Sequence, residues 1–326
     1  MKVSKDIKFN FLNSDEQERY QKHLTLKEIG YEGQLNLKNS SVLCIGAGGL
    51  GSSVLLYLAA SGIGKIGIID NDYVEKSNLQ RQIIHETDTI GNLKIDSARE
   101  RIKKFNPNTE LLTFAERINP NNALKIIEQF DVICDCSDNF GTRYLINDSC
   151  LILNKPLVFG SVQGFEGQVS VFNLHKKSPN LRDLLPESPS KNAIPSCAEY
   201  GVVGVSTGLI GILQVNEIIK IILKKGEILD GTILVLDLLN MNIKKLHLER
   251  SQVNQRIKNL SQFEDFYSDN QCLEENNEIN SINASDFKKI YKVKPNKILL
   301  IDVRENAEFS TSAIKGSISI PLSHLN

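Results

Sequence analysis

Three glycines near the N-terminus have the spacing of a turn that binds phosphate. Gly46, Gly48 and Gly51 fit the pattern G-x-G-x-x-G within the stretch VLCIGAGGLGSSVL at positions 42–55. Between a strand and a helix, such glycines let backbone N–H groups approach an anion at the positive end of the helix. Asp70 ends the next apolar stretch, where a carboxylate can bind a ribose. These residues predict a nucleotide site and leave open whether the nucleotide is NAD or ATP.

The segment that begins at Asp70 favours ATP. Its sequence, DNDYVEKSNLQRQ at 70–82, contains these charged and amide side chains: Asp70, Asp72, Glu75, Asn78, Arg81 and Gln82. An NAD site needs little at this point beyond the acid that binds the ribose. Arg81 and the later Lys94 would supply positive charge to phosphoryl oxygens. We therefore expect the glycine turn to hold a triphosphate.

A further carboxylate points to a metal-bound triphosphate. Asp138 and Asn139 follow the fourth apolar stretch, and we predict that Asp138 lies at the C-terminal end of the fourth parallel strand. Ligands of open α/β sheets collect at such strand ends, and Mg²⁺ is commonly held there by one carboxylate, phosphates and water. The alternative, an NAD(P)-dependent oxidoreductase, lacks a clear catalytic candidate among the five histidines.

Strands and helices alternate around these residues in the pattern of a doubly wound α/β sheet. Over residues 41–138 apolar strands alternate with helical segments, which predicts a mostly parallel, Rossmann-like sheet covered on both faces. Residues 155–173 and 231–249 each read as a strand pair, so antiparallel strands should extend the same sheet. Residues 14–37 are predicted to form a helical arm. The apolar helix at 205–223 is predicted to lie in the core or a dimer interface, because polar residues interrupt it.

Composition excludes several classes of partner. The 326 residues carry a net charge of −1, so bulk electrostatics gives no reason to expect nucleic acid or an acidic membrane as partner. The N-terminal segment lacks the apolar core of a signal peptide, and the six cysteines are scattered, which is typical of free thiols. We therefore predict a cytoplasmic protein. Residues 1–250 are predicted to form the nucleotide domain, 251–281 a polar linker and 282–326 a further unit.

Several longer motifs resemble the MoeB/ThiF family of adenylyltransferases, which are relatives of ubiquitin-activating enzymes. The resemblance runs from about residue 14 to about 250. It rests on GAGGLGS, DNDYVEKSNLQRQ, GNLKIDSA, CSDNFGTRYLIND, GSVQGFEGQVSVF and PSCAEYGVVGVSTGLIGILQVNEIIK. Residues 282–326 resemble the start of a rhodanese domain. The order of arm, core and extension is similar to that of molybdopterin-synthase adenylyltransferases fused to a rhodanese domain.

The resemblance implies a reaction and its partners. The enzyme would bind ATP with Mg²⁺ and a ubiquitin-like sulfur carrier that ends in Gly-Gly, from the molybdopterin or the thiamine pathway. The terminal carboxylate of the carrier would become an acyl-adenylate, which sulfur then converts to a thiocarboxylate. A cysteine desulfurase or a rhodanese would donate the sulfur. The family also implies a homodimer.

The resemblance assigns roles to individual residues. It places four glycines along the nucleotide, namely Gly46, Gly48, Gly49 and Gly51, and Asp70 on the ribose. The residues placed near the phosphates are Asn78, Arg81, Gln82 and Lys94. Asp138, with Asn139 beside it, is placed at the magnesium ion. Lys22 stands where the family has an arginine that reaches the partner subunit's phosphates. Cys197 matches a cysteine of the family that forms a thioester or accepts sulfur.

The chain departs from the family at two features. The family carries a zinc ion on two C-x-x-C pairs, but the corresponding positions here are Asn180, Asp183, Asn254 and Ile257. A Cys₄ site cannot form without its thiolates, so we expect no zinc. No cysteine follows Cys272, so this chain lacks the persulfide cysteine of a rhodanese domain. Both departures favour the alternative of a non-catalytic scaffold that binds the carrier.

Overall fold

The computed structural model describes residues 9, 11–186, 201–251, 257–263, 267, 282, 284–293, 298–304 and 306–321. The chain divides into two compact units, Met1–Gln271 and Cys272–Asn326. The division falls inside the segment 251–281 that was predicted as a linker. In that segment Ile257 and Leu260 are buried, so part of it packs on the first unit.

The N-terminal arm predicted for 14–37 is helical and consists of three short helices: α1 (Ser14–Arg19), α2 (Gln21–Leu24) and α3 (Gly30–Lys38). Tyr20 separates the first two because its ring is buried and its hydroxyl accepts a hydrogen bond from Asn106 Nδ2 at 2.8 Å. Gly30 begins α3 with a φ of +60°. Tertiary contact and backbone conformation therefore break a stretch whose composition is helical throughout.

The parallel half of the sheet alternates strands and helices as the sequence predicts. Its elements are β1 (Ser41–Ile45), α4 (Gly49–Ser61), β2 (Lys65–Ile69), α5 (Lys94–Phe105), β3 (Glu110–Phe114), α6 (Ala123–Ile127), β4 (Val132–Asp135), α7 (Phe140–Leu153) and β5 (Leu157–Gln163). Short 3₁₀ helices at Lys76–Asn78 and Thr87–Thr89 lie between β2 and α5. The strands run parallel in the order β3-β2-β1-β4-β5, so the order reverses between β1 and β4. Such a reversal opens a crevice at the carboxyl ends of the strands.

Antiparallel strands continue the same sheet, which confirms the prediction of one sheet. The further elements are β6 (Glu166–Phe172), α8 (Leu181–Leu184), α9 (Gly204–Leu223), β7 (Thr232–Asp237), β8 (Asn242–His247) and a 3₁₀ helix at Leu260–Phe263. Strands β5 to β8 pair in sequence order, each antiparallel to the one before. The fold is therefore an α/β doubly wound sheet of eight strands with an antiparallel extension.

Every residue of β1 is buried because helices cover both faces of the sheet. Val42 and Cys44 face a core shared with α4, α5 and α9, whereas Leu43 and Ile45 face a core shared with α6 and α7. This explains why the strand reads as a continuous apolar run instead of alternating with polar residues.

Helix α9 packs as a core helix against α4, β5 and β6. Of the described helices it is the one that is long and apolar enough to cross a membrane. Its polar residues are bonded inside the protein: Gln214 Nε2 donates to the Asp135 carbonyl at 2.7 Å, and Glu217 Oε2 accepts from Leu229 N at 3.0 Å. Gly160 in β5 makes room for this contact, since a Cβ there would lie 2.4 Å from Gln214 Cδ.

The second unit contains α10 (Ala284–Val293), β9 (Ile301–Asp302), α11 (Asn306–Thr311) and β10 (Ile318–Ser319). The two strands pair in parallel, with α11 in the connection between them. Arg304 donates two hydrogen bonds to the Asp302 carboxylate and one to the carbonyl of Ser312, which ties the end of β9 to the connection.

Candidate active site

A cavity of about 500 Å³ opens beyond the carboxyl ends of β1, β2 and β4, at the point where the strand order reverses. The predicted site residues that line it are Gly46, Gly48, Gly49, Asp70, Arg81, Gln82, Lys94, Asp138 and Asn139. The fold thus brings together residues spread over more than ninety positions of the chain.

The glycine turn forms one wall of this cavity. Gly46 has a φ of +101°, a conformation that favours glycine, and a Cβ there would lie 2.8 Å from the carbonyl oxygen of Cys136. Helix α4 begins at Gly49, so its unbonded N–H groups lie at this wall. Gly51 is not part of the lining. A Cβ on it would lie 2.1 Å from the Gly46 carbonyl oxygen, so its role is the close packing of turn and helix.

The Asp70 carboxylate both lines the cavity and orders its wall. Its Oδ2 accepts a hydrogen bond from Ala47 N at 2.8 Å, and its Oδ1 accepts one from Asp72 N at 2.8 Å. A carboxylate can accept about four hydrogen bonds, so it keeps capacity for a ligand hydroxyl.

Two cationic side chains reach the cavity from the segment after β2. Lys94 begins α5 and its Nζ lies 2.8 Å from Asp72 Oδ2. Arg81 is partly buried and donates from Nη1 to the Ser77 carbonyl at 3.2 Å. Beside them, the Oε1 atom of Gln82 is buried and has no hydrogen-bond partner within the described part of the chain. The region therefore offers two positive charges and an acceptor to a bound anion and its sugar.

Asp138 lies in the turn between β4 and α7. The sequence predicted Asp138 at the end of the strand, but β4 ends at Asp135, so Asp138 lies three residues beyond the strand. Its side chain is exposed toward solvent in the cavity wall. Asn139 caps α7, because its Oδ1 accepts a hydrogen bond from Thr142 N at 2.8 Å. The cap determines where the turn ends and holds the Asp138 backbone beside the glycine wall.

Arg143 is a cavity residue that the sequence did not reveal. Its guanidinium lies between the rings of Phe140 and Phe159, 5.6 and 5.3 Å from their centroids. It donates to Ser161 Oγ at 3.1 Å and to the Ser137 carbonyl at 3.2 Å. Its position depends on the packing of α7 against β5, and its only sequence signal is that it follows Asp138 by a little over one helical turn.

Asp135 is a buried carboxyl group beneath the same wall. Its Oδ1 accepts hydrogen bonds from the backbone N and the hydroxyl of Ser137, at 2.9 and 2.6 Å. Burial raises the pKa of Asp135, and the nearby Arg143 opposes that rise. In the sequence Asp135 lies within an apolar run, which gives no signal of a buried carboxyl group.

Besides Gly51, three predicted site residues lie away from the cavity or outside the described structure. Asn78 is buried and its Oδ1 accepts from Glu75 N at 3.1 Å, so it supports the loop that carries Arg81. Lys22 is exposed on α2 and is not part of the lining of its own subunit's cavity. Cys197 lies in 187–200, outside the described residues.

The cavity residues suit a magnesium ion that is bound partly by phosphates, and not one that is held by protein ligands alone. No group of three or more His, Cys, Asp or Glu side chains that could hold a metal ion occurs among the described residues. Mg²⁺ prefers water and phosphate oxygens with one or two carboxylates. The exposed carboxylate of Asp138 suits such an arrangement.

The positions of the family's zinc ligands do not fit zinc. Asn180 uses its side chain to cap α8, accepting a hydrogen bond from Arg182 N at 2.8 Å. Asp183 Oδ2 accepts from Asn180 N at 2.8 Å, and its Oδ1 accepts from Ser251 N at 2.9 Å. Ile257 is a buried alkyl side chain, and 254 lies outside the described residues. The side-chain oxygens of Asn180 and Asp183 thus already accept hydrogen bonds. One of these bonds, from Ser251 N to Asp183 Oδ1, links α8 to the segment after β8.

A buried ion pair joins α8 to α7 beside this link. Arg182 donates to both carboxylate oxygens of Asp148, at 2.9 and 2.7 Å, and both side chains are almost fully buried. Tyr267 donates its hydroxyl to Asp148 Oδ2 at 2.7 Å, and the guanidinium lies 4.9 Å from the ring centroid of Tyr144. Hydrogen bonds and an ion pair thus connect the segments that the zinc ligands would have joined.

A family model supports the resemblance noted from the motifs. The model described as the ThiF family matches residues 20–257, well over half of the chain.

Curated relatives align with nearly the whole chain. The adenylyltransferase and sulfurtransferase MOCS3 of Culex quinquefasciatus is 39% identical over 95% of this chain and 73% of the relative. The probable adenylyltransferase/sulfurtransferase MoeZ of Mycobacterium tuberculosis is 40% identical over 97% and 81%. The probable molybdopterin-synthase adenylyltransferase of Porphyra purpurea is 40% identical over 94% and 79%.

Solved structures share the fold at lower sequence identity. The crystal structure of PaaA superposes with a TM-score of 0.65 at 22% identity, covering 76% of this chain and 78% of that one. The E. coli MccB structure with ATP superposes with a TM-score of 0.63 at 24% identity, covering 72% and 73%. At these identities the likeness establishes the fold alone. The family model and the curated relatives make the assignment: the chain belongs to the ThiF family and is an adenylyltransferase.

Proposed function

We propose that this adenylyltransferase uses ATP to activate the C-terminal carboxylate of a ubiquitin-like sulfur-carrier protein that ends in Gly-Gly. The observation that carries the proposal is the convergence of the glycine turn, Arg81, Lys94 and Asp138 on one cavity. The names of the relatives support a sulfur carrier, and that of the Porphyra relative favours the molybdopterin-synthase small subunit over a thiamine-type carrier.

The chemistry requires two anions to meet. A carboxylate oxygen of the carrier forms a bond to the α-phosphorus of ATP, and the bond from that phosphorus to its bridging oxygen breaks. Pyrophosphate leaves with the electron pair, and the carrier becomes an acyl-adenylate. Lys94 and Arg81 neutralise phosphoryl charge so that the second anion can approach, and this kind of stabilisation is commonly the largest contribution to catalysis.

Other cavity residues orient the nucleotide. The N–H groups at the start of α4 bind phosphate oxygens, as at other helix N-termini. Asp70 binds ribose hydroxyls with the lone pairs that Ala47 and Asp72 do not use. The buried Oε1 of Gln82, which has no partner among the described residues, accepts a hydrogen bond from the nucleotide. Asp138, with Asn139 beside it, would hold a magnesium ion, which would supply further charge neutralisation to the triphosphate.

A homodimer completes the site in this proposal. Lys22 is exposed on the N-terminal arm, as a residue that reaches into a second subunit must be. It replaces an arginine of the family and keeps the positive charge, but it loses the planar arrangement of five donors. The Lys22 ammonium of one subunit would bind the triphosphate in the cavity of the other.

Cys197 takes part after adenylation in this scheme. Its thiolate would either displace AMP from the acyl-adenylate to form a thioester, or first take the outer sulfur of a persulfide on a cysteine desulfurase or a rhodanese, which leaves the donor's thiolate. In the second course the outer sulfur of the Cys197 persulfide would displace AMP and form an acyl disulfide. The donor's thiolate would then attack the Cys197 sulfur, so that the thiocarboxylate leaves and a disulfide remains between Cys197 and the donor. The reaction is proposed to occur in the cytoplasm, without nucleic acid or membrane.

ATP–pyrophosphate exchange that depends on the carrier tests the adenylation step. The protein is mixed with ATP, Mg²⁺, labelled pyrophosphate and, in turn, each small Gly-Gly protein of the same cell. Exchange with one of them is the expected result and identifies the pathway. The control is a carrier whose last glycine is deleted. It should still bind, but its shorter C-terminus should not bring the terminal carboxylate to the α-phosphorus of ATP. Binding of a carrier without exchange would instead support a scaffold.

A further inference from the structure

A buried histidine connects the glycine turn to the helix that carries Lys94. His85 Nε2 lies 3.0 Å from the carbonyl oxygen of Ala47, which is inside the turn. His85 Nδ1 lies 2.9 Å from Ser97 Oγ, on α5 and three residues after Lys94. The ring is 5% exposed and is not part of the cavity lining.

The hydrogen bonds determine which ring nitrogen carries the proton. A carbonyl oxygen can only accept, so Nε2–H donates to Ala47. In the neutral ring Nδ1 is then an acceptor, and the Ser97 hydroxyl, which also lies 3.1 Å from Thr89 Oγ1, shares its one proton between Nδ1 and Thr89. Burial lowers the pKa of His85, and the nearby charge of Lys94 lowers it further, while the bond to Ala47 and the charge of Asp70 oppose the change. A neutral ring with this tautomer satisfies both neighbours.

The peptide groups of Ala47 are held from two sides. Asp70 accepts from its N–H at 2.8 Å, and His85 donates to its carbonyl. The residues on either side are Gly46 and Gly48, which have no side chains to restrict the turn. These two bonds add to the backbone bonds of the flanking glycines, from Gly46 N to the Ile69 carbonyl and from Ser52 N to the Gly48 carbonyl. Of these, the His85 bond is the one that ties the turn, through Ser97, to the helix that begins at Lys94.

We propose that His85 is a positioning residue for the nucleotide: it aligns the glycine turn with the first turn of α5, so that the backbone N–H groups and the Lys94 ammonium reach the same polyphosphate. This inference rests on the proposed use of ATP. It assigns His85 no contact with the nucleotide.

Direct binding of a non-hydrolysable ATP analogue, measured by calorimetry with Mg²⁺ and without a carrier, tests the inference. His85→Leu removes both hydrogen bonds and is expected to weaken binding about tenfold. His85→Gln keeps a donor at the position of Nε2 and is expected to restore most of the affinity. His175→Leu is the matched control, because His175 is exposed and lies outside the cavity lining.

The outcomes separate this inference from the proposed function. If the wild type binds the analogue and His85→Leu binds it as tightly as His175→Leu does, the positioning role is refuted. If the wild type does not bind it, the use of ATP and this inference fail together. If His85→Leu does not fold, Ser97→Ala replaces it, because that change keeps the ring and its bond to Ala47 and removes the link to α5, together with the bond of Ser97 to Thr89. Weakened binding by Ser97→Ala at an unchanged melting temperature supports the role, and unchanged binding overturns it.

Discussion

The ammonium of Lys94 lies 2.8 Å from the carboxylate of Asp72, yet the lysine side chain is 8% exposed and the aspartate side chain is 62% exposed. The cation is thus held at the cavity wall by a partner that stays mostly in water. A polyphosphate can replace that partner at little cost, since the carboxylate is already hydrated. The pair orients the lysine before the nucleotide arrives.

Replacing Lys94 with alanine is expected to lower the rate of ATP–pyrophosphate exchange by about 10² to 10³, the range seen when one charge-stabilising donor is removed from an active site. The measurement is exchange at saturating carrier, with the melting temperature recorded for each variant. Lys103→Ala is the control, because Lys103 is exposed near the other end of α5. Equal rates for the two variants would exclude Lys94 from catalysis.

Replacing Asp138 with asparagine is expected to lower exchange by at least about a hundredfold while carrier binding is kept, because the charge that attracts the metal ion is lost but the shape is preserved. The side chain is exposed, so folding should not change. Raising the Mg²⁺ concentration should recover part of the rate. Asp88→Asn, another exposed aspartate, serves as control. An Asp138→Asn enzyme with the wild-type dependence on Mg²⁺ would argue against this position for the ion.

Mixing two inactive variants tests the proposed role of Lys22 in the partner subunit. Lys22→Ala and Lys94→Ala should each lose exchange as homodimers. In a mixed dimer, one cavity combines an intact Lys94 with an intact Lys22 from the other subunit. Random mixing of subunits should therefore restore about a quarter of the wild-type rate. Mixtures without activity, despite confirmed subunit exchange, would place Lys22 in its own subunit's site, and an active Lys22→Ala homodimer would place it in neither.

The link between α8 and the segment after β8 uses hydrogen bonds in place of zinc, which leads to a prediction about thermal and chemical stability. Metal analysis should find no stoichiometric zinc, and a chelator should leave the melting temperature unchanged. Arg182→Met should lower the free energy of unfolding by about 3–5 kcal/mol, because it leaves the buried Asp148 carboxylate without its cation. Arg99→Met, which breaks an exposed pair with Asp96, should cost less than about 1 kcal/mol. A large chelator effect would contradict this account.

Stability should fall on mild acidification because of His85. The pKa of His85 is lowered in the folded protein from its ordinary value of 6.5. Below pH 6.5 the imidazole of His85 is therefore protonated more readily in the unfolded chain than in the folded one. The free energy of unfolding is therefore highest above that pH and decreases as the pH falls toward the lowered pKa. His85→Gln lacks the titrating ring, so urea unfolding at several pH values should show its deficit shrinking in acid. A deficit that is independent of pH would mean that the ring does not titrate in this way.

Local patterns were sufficient to predict much of the fold and of the cavity. The apolar runs of β1, β2 and β4 and the glycines after β1 are short-range signals, and the carboxyl ends of parallel strands meet at one edge for any such sequence. Asp70, Arg81 and Asp138 could therefore be expected to share a site before their distances were known. Composition indicated a helical arm at 14–37 but not its division into three helices, which accompanies the burial of Tyr20 and its hydrogen bond with Asn106.

What the sequence determined by itself was thus the order of strands and helices, the nucleotide turn and the charges around it, since each depends on residues close together in the chain. Only the tertiary structure decided which distant groups meet. The bonds of His85 to Ala47 and Ser97, the position of Arg143 between two rings, and the ion pair of Asp148 with Arg182 depend on how separate elements pack. Close packing determines those distances to within a few tenths of an ångström, and no local spacing encodes them.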